Sequence, residues 1–343
     1  MSALGVPWRW DKGRGGTEVD WIGYWVDLWK GRLGISVRRA EWLAEWMARQ
    51  TREGATDMAD FVAVLGRLCF AMGPLEYLRP FIAPLFAWAA AVGPRGRSQL
   101  PWSITFILKL LEMELRGEGR VEEIRPMTKD LGVAFRADAK AEGQCVRIGG
   151  WECIGGIRPA EARWFAVDLT RTNAPWAFAR GEPYRTIASL ELFATLVCVT
   201  TFGDAWPAGS SGEIRLQGLT DNLGNTFAIT KLMSSKFPLV VILAELAAQL
   251  RARKMALSVG WTPRDQNEEA DALTNGDYVQ FGAANRVRVT IEDVEWMVLP
   301  KLMAVAGDIY TDVQKRKASR DVGPKQGPPA KKAKGGLRQR DPW

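Results

Sequence analysis

Between Glu213 and Thr274 the spacing of apolar residues changes four times, and each change predicts an element. Glu213-Ile-Arg-Leu-Gln-Gly-Leu-Thr220 alternates apolar and polar residues, the period of a half-buried strand. Asp221-Asn222 stands in capping position before a helix over Gly224 to Met233, with Phe227, Ile229 and Leu232 on roughly one side. A longer apolar helix spans Leu239 to Lys254, ending in Arg251, Arg253 and Lys254, the charge sign that suits a helix C-terminus. Ala256 to Trp261 reads as a short strand, and Pro263 to Thr274 opens a helix that carries Asp271.

The chain before this stretch falls into two parts. Val19 to Ile35 predicts a β-hairpin turning near Lys30-Gly31. Ser36 is placed to cap a helix over Val37 to Thr51, with Ala40, Leu43, Ala44 and Met47 on one face and Trp42 and Trp46 on another. Helical patterns follow over Asp57 to Met72 and Leu75 to Val92; Arg95 to Trp102 is a breaker, and another helix runs after it to about Leu115. From Leu131 the pattern turns to strands: Gly132 to Asp138, ending on its acid, then Val146 to Ile154 and Ala162 to Leu169. Ile187 to Phe202 is a strongly apolar helix interrupted by Glu191. A last helix runs from Val294 to about Arg316, broken or kinked at Pro300.

The predicted order from Leu131 is therefore β-β-β-α-β-α-α-β-α. Three consecutive strands imply an antiparallel meander and the later β-α-β units imply parallel additions, giving a mixed five-stranded sheet. The fold class is α+β. Residues 1–17 form a loose N-terminus and 18–125 a mainly helical region. An α/β domain occupies 130–290, a C-terminal helix 291–316 and a disordered basic tail 317–343.

Composition narrows the chemistry. A chain of 343 residues with 47% hydrophobic content can bury a large core. Histidine is absent, which excludes Ser-His-Asp and Cys-His catalysis and His-ligated zinc. Four cysteines without metal-ligand or disulfide-framework spacing fit a reducing, intracellular compartment, nucleus or cytoplasm. No secretory h-region is visible, and no apolar run reaches the ~18 residues of a membrane span. The net charge of +7 belongs to the tail: from Lys315 onward there are ten Lys/Arg against two Asp. Lys331 and Lys332 are its candidate phosphate contacts or import signal, although a solubilising role explains them as well.

The order of elements, with acids at Asp138, Glu191, Asp221 and Asp271, resembles the ribonuclease H fold. Thr220-Asp221-Asn222, Glu191-Leu-Phe-Ala and Asn267-Glu-Glu-Ala-Asp271-Ala-Leu-Thr274 resemble the RNase H-like domains of retroelement reverse transcriptases. Trp21-Ile-Gly-Tyr-Trp-Val-Asp27 resembles the hairpin that grips the primer in such enzymes. Leu65-Gly-Arg-Leu-Cys-Phe-Ala71 and Leu78-Arg-Pro-Phe-Ile-Ala-Pro-Leu85 resemble the thumb and connection of DIRS-type and related retrotransposon polymerases. The resemblance covers about Val19 to Ala306. A Tyr-x-Asp-Asp motif is missing, so no polymerase activity is expected unless a longer chain supplies the palm. Asp138-Ala-Lys-Ala-Glu-Gly143 replaces the commoner Asp-Ala-Ser-x-x-Gly, and the histidine that many RNase H enzymes place near the last acid is also missing.

The resemblance implies that Asp138, Glu191, Asp221 and Asp271 ligate two Mg²⁺ ions, or Mn²⁺, and hydrolyse the RNA strand of an RNA–DNA hybrid. It places Trp21, Tyr24, Asn222 and Arg264 among the nucleic-acid contacts. Taken singly, the acids have ordinary readings: Asp221 as a helix cap, Glu191 facing solvent, Asp271 in a solvated acidic face, Asp138 in a turn. Tryptophans at helical or strand spacing are likewise ordinary core residues. Two rival functions stay open: a non-catalytic nucleic-acid-binding remnant, and another nuclease or integrase on the same fold.

Overall fold

The structure is a computed structural model that describes residues 15–21, 23–124, 127–179, 181–206 and 213–321. In the first part, β1 (Glu18–Trp21), β2 (Tyr24–Asp27) and β3 (Arg32–Ile35) form an antiparallel meander. The sequence predicts a two-stranded hairpin here. Gly23, at φ +88°, divides the expected first strand into two, and a Cβ at this position would run into the Arg39 guanidinium and the Phe70 ring. The second turn closes through Asp27, whose carboxylate accepts from the Lys30 backbone N–H and from Arg32, both at 2.9 Å.

Next come α1 (Val37–Glu53), β4 (Ala55–Asp57), α2 (Met58–Ala71), α3 (Arg79–Val92), β5 (Arg97–Gln99), α4 (Trp102–Arg116) and β6 (Val121–Glu123). The short strands β4 and β5 pair with each other and were not visible in the sequence pattern; β6 joins β3. Ser36 occupies the cap position of α1 but makes no side-chain capping bond, whereas Asp57 caps α2 through the N–H groups of Ala59 and Asp60.

The second part opens with β7 (Met127–Glu142), β8 (Cys145–Glu152) and β9 (Trp164–Leu169), followed by α5 (Pro175–Phe178) and α6 (Ile187–Phe202). Then come β10 (Glu213–Thr220), α7 (Leu223–Lys231), α8 (Leu239–Arg253), β11 (Met255–Trp261), α9 (Glu268–Asn275) and α10 (Leu299–Asp321). The sheet order is β11-β10-β7-β8-β9, with the meander antiparallel and β10 and β11 added in parallel. This is the mixed five-stranded sheet that the sequence implies.

Helix α6 lies between the sheet and α8, with both of which it makes extensive contact. It is apolar all round because it is covered all round. Pro183–Ala205 is in fact long and apolar enough to cross a membrane by length and composition, against the sequence expectation, yet it is mostly buried inside the protein. On the other face of the sheet, α9 packs with Trp151, Trp164 and Phe281 in a smaller core of its own. The main core is continuous from Ile35 to Val313, because α8 also packs on α3 and α10 on α3, α4 and α8.

Two helical details differ from the sequence reading. Phe227 is exposed; the buried side of α7 comprises Asn225, Thr226, Ala228 and Ile229. Helix α10 starts at Leu299, not Val294, and Pro300 does not kink it, since a first-turn proline has no intrahelical N–H bond to lose. Its start is set by Glu245, fully buried on α8, whose carboxylate accepts from the backbone N–H groups of Met297, Val298 and Leu299 at 2.7 to 2.9 Å. The negative charge sits where the helix dipole favours it.

Candidate active site

Asp138 does not end its strand. Strand β7 runs on to Glu142, paired with β8 throughout, and Asp138 lies opposite Gly149. The continuation is a period-two pattern in which Ala137, Ala139 and Ala141 alternate with Asp138, Lys140 and Glu142. Two consecutive glycines on β8 let helices approach both faces of the sheet here. A Cβ on Gly149 would stand 2.8 Å from the Leu273 Cβ of α9, and one on Gly150 would collide with the Cys198 sulfur of α6. These two helices carry Asp271 and Glu191.

Asp138 is buried, and its Oδ2 lies 2.9 Å from the Thr274 hydroxyl. Burial pushes its carboxyl up to about 6, with the charges of Asp221 and Asp271 adding to the shift and the Thr274 bond opposing it. Glu191 is buried as well, so the solvent-facing reading of this residue fails. Burial raises it to about 8, helped by the charge of Asp221 and opposed by a hydrogen bond from Asn222. Asn225 Nδ2 donates to Glu191 Oε2 at 3.3 Å and to the Ala188 carbonyl at 2.8 Å.

Asp221 follows the last residue of β10. The capping role falls to its neighbour: Asn222 accepts the Asn225 N–H at 3.2 Å, which leaves the Asp221 carboxylate uncommitted. Asp221 Oδ1 is buried with no hydrogen-bond partner. The Asp221 peptide is held from outside, where the Trp261 indole N–H donates to its carbonyl at 3.0 Å. Asp271 is engaged differently, accepting from Arg264 at 3.1 Å and from Asn275 at 2.7 Å.

The four acids thus act on one another electrostatically, although among the described residues no three metal-ligating side chains are drawn into a closed coordination group. Arg264 joins them, and Asn222 borders them. Beside Asn222 and Asn225 a groove of about 430 Å³ is lined by Arg185, Lys231 and Lys236.

No protein-family model matches the chain, and no curated protein matches it either. Similar solved structures do exist. RNase H1 from Halobacterium salinarum NRC-1 aligns at 19% identity over 43% of this chain and 96% of its own, with a TM-score of 0.29. The N-terminal RNase H domain of a Mycobacterium tuberculosis protein, fused to maltose-binding protein, aligns at 18% over 43% and 94%, with a TM-score of 0.28. A foamy viral protease-reverse transcriptase in complex with double-stranded DNA aligns at 13% over 71% and 38%, with a TM-score of 0.25. It is the strand order, not these alignments, that defines the fold.

The other expected nucleic-acid contacts lie elsewhere. Trp21 is exposed on β1, in the other sheet. Tyr24 is committed to Phe70, stacking on its ring at 4.5 Å and donating its hydroxyl to the Phe70 carbonyl at 3.3 Å. Lys331 and Lys332 lie outside the described residues. Thr274, Asn225, Trp261 and the Gly149-Gly150 pair were not singled out in the sequence. Thr274 stands one turn after Asp271 and Asn225 one turn after Asp221, and that spacing was the signal on offer.

Proposed function

We propose that this chain is the C-terminal part of a reverse transcriptase from a retroelement, DIRS-type or related, whose RNase H-like domain hydrolyses the RNA strand of RNA–DNA hybrids. The observation that supports this best is the convergence of Asp138 from within β7, Glu191 from α6, Asp221 from just past β10 and Asp271 from α9, near enough that the charges of Asp221 and Asp271 act on Asp138 and those of Asp221 and Asp138 on Glu191. Buried Asp138 and Glu191, with two further carboxylates beside them, form a concentration of negative charge that a cation would neutralise.

The donor set fits Mg²⁺ or Mn²⁺. All four groups offer hard oxygens, and the orphaned Asp221 Oδ1 is a buried acceptor that a cation would satisfy. When bound, two such ions activate a water and neutralise the charge of the leaving oxygen. The chain's own residues prepare the site: Thr274 aligns Asp138, Asn225 and Asn222 steady Glu191, and Trp261 fixes the Asp221 peptide. The groove at Arg185, Lys231 and Lys236 suits the phosphates of a bound strand.

One observation favours a second reading, a non-catalytic hybrid-binding remnant: Asp271 is tied to Arg264 and Asn275. Incubation of a hybrid labelled on its RNA strand with Mg²⁺ separates the two. Cleavage lost in EDTA and in Asp221→Asn supports the nuclease; tight binding without cleavage supports the remnant.

A further inference from the structure

The segment between β11 and α9 is anchored to the strands that bear the first and third acids. The Thr262 N–H donates to the Thr220 carbonyl at 3.0 Å, on β10. Buried Asn267 donates its side-chain amide to the Ala137 carbonyl of β7 at 3.4 Å. Arg136 of β7 donates to the Gln266 carbonyl and pairs with Glu269 at 3.6 Å. Arg264 stands in the middle of this pinned segment, with its guanidinium 3.1 Å from Asp271 Oδ1. The side chain is itself largely exposed.

The position of the charge matters more than the single ion pair. Arg264, a permanent cation, bonds Asp271 and lies near enough to Asp138 and Asp221 to feel their charges, and its own charge in turn opposes the rise at Glu191. One fixed cation therefore interacts with all four carboxylates.

We propose that Arg264 is a resident counter-cation of the four-acid site, holding the Asp271 carboxylate until a divalent ion displaces it. This rests on the metal-site reading above. Metal entry then carries the cost of breaking the Arg264–Asp271 pair and of placing a dication near a guanidinium. The residue sets the metal concentration at which the site fills and orients Asp271 in the meantime; it is a positioning residue, not a ligand.

The test is Mn²⁺ binding to the full chain without nucleic acid, with free Mn²⁺ read by electron paramagnetic resonance. Wild type, Arg264→Gln, Arg264→Lys, Asp271→Asn and the Arg264→Gln/Asp271→Asn double variant are compared. Arg264→Gln is expected to bind Mn²⁺ about two- to fivefold tighter, in keeping with an exposed ion pair. Arg264→Lys, which keeps the charge, should stay close to wild type, and the gain from Arg264→Gln should shrink in the Asp271→Asn background. Unchanged or weaker binding by Arg264→Gln, with wild type binding normally, overturns the role of Arg264 and leaves the metal site standing. If folded wild-type protein binds no Mn²⁺ at millimolar concentrations, the metal-site reading itself fails and takes this proposal with it.

Discussion

Thr274 Oγ1 lies 2.9 Å from Asp138 Oδ2 and 2.9 Å from the carbonyl oxygen of Asp271. One hydroxyl on α9 thus spans to β7 at the point where each carries an acid. A hydroxyl has a single proton, so the two oxygens compete for it, and an ionised Asp138 is the stronger acceptor. Thr274→Val keeps the shape and removes the donor. Asp138, already pushed to about 6, should then rise further, and the acid limb of the pH–rate profile for hybrid cleavage should move to higher pH by up to ~1 unit. An unmoved acid limb would mean that the bond does not tune Asp138.

The same two buried acids make stability depend on pH. Asp138 titrates at about 6 and Glu191 at about 8, above their ordinary values of 3.8 and 4.5. Between those limits the folded state binds more protons than the unfolded state, so their contribution to stability falls as pH rises from about 4 through 8. Melting curves at pH 5 and pH 8.5 should show a loss for wild type that Glu191→Gln reduces. Equal losses in both proteins would contradict the assignment.

Glu245 offers a test away from the site. Its carboxylate accepts three backbone N–H groups at the start of α10 and a fourth bond, from the Gln249 side chain, at 2.6 Å. Glu245→Ala leaves those donors buried and unpaired, at a cost of about 3 kcal/mol or more. Urea denaturation should register it, whereas Glu295→Ala, which removes an unburied side chain from the same segment, should be close to neutral.

Gly149 and Gly150 set the closeness of α9 and α6 to the sheet. Gly150→Ala drives a methyl into Cys198 and Phe165 in the main core and should destabilise by about 1–3 kcal/mol. Gly149→Ala meets Leu273 instead, on the helix that carries Asp271 and Thr274. It should therefore reduce cleavage more than its loss of melting temperature explains. Parallel losses of activity and stability would argue against positioning.

Much of this fold is legible from residue spacing. Strand β10 alternates cleanly because one face, Ile214, Leu216, Gly218 and Thr220, is buried and the other is not, and it occupies the predicted span, Glu213–Thr220. The three-strand meander and the helices after it also follow the pattern. The failures have local causes. The division at Gly23 turns on one backbone conformation, and β4 and β5 are three residues each, too short for any period to show. Strand β7 continues past Asp138 through alanines, which carry little strand preference, so its end was misplaced. The start of α10 depends on Glu245, some fifty residues away, which no local pattern reveals. The four acids could be named from resemblance. Their partners Thr274, Asn225 and Trp261 depend on tertiary contact, and the burial of Glu191 depends on α6 being covered on every side.

Strand-resolved cleavage of an RNA–DNA hybrid tests the central claim most directly. Each strand is labelled in turn and incubated with wild type, Asp138→Asn and Glu191→Gln in Mg²⁺, with circular dichroism confirming that each variant is folded. The account predicts cleavage of the RNA strand alone by wild type, and a loss of at least about a hundredfold in both variants. Equal cleavage by folded variants, or none by folded wild type in Mg²⁺ or Mn²⁺, would contradict it.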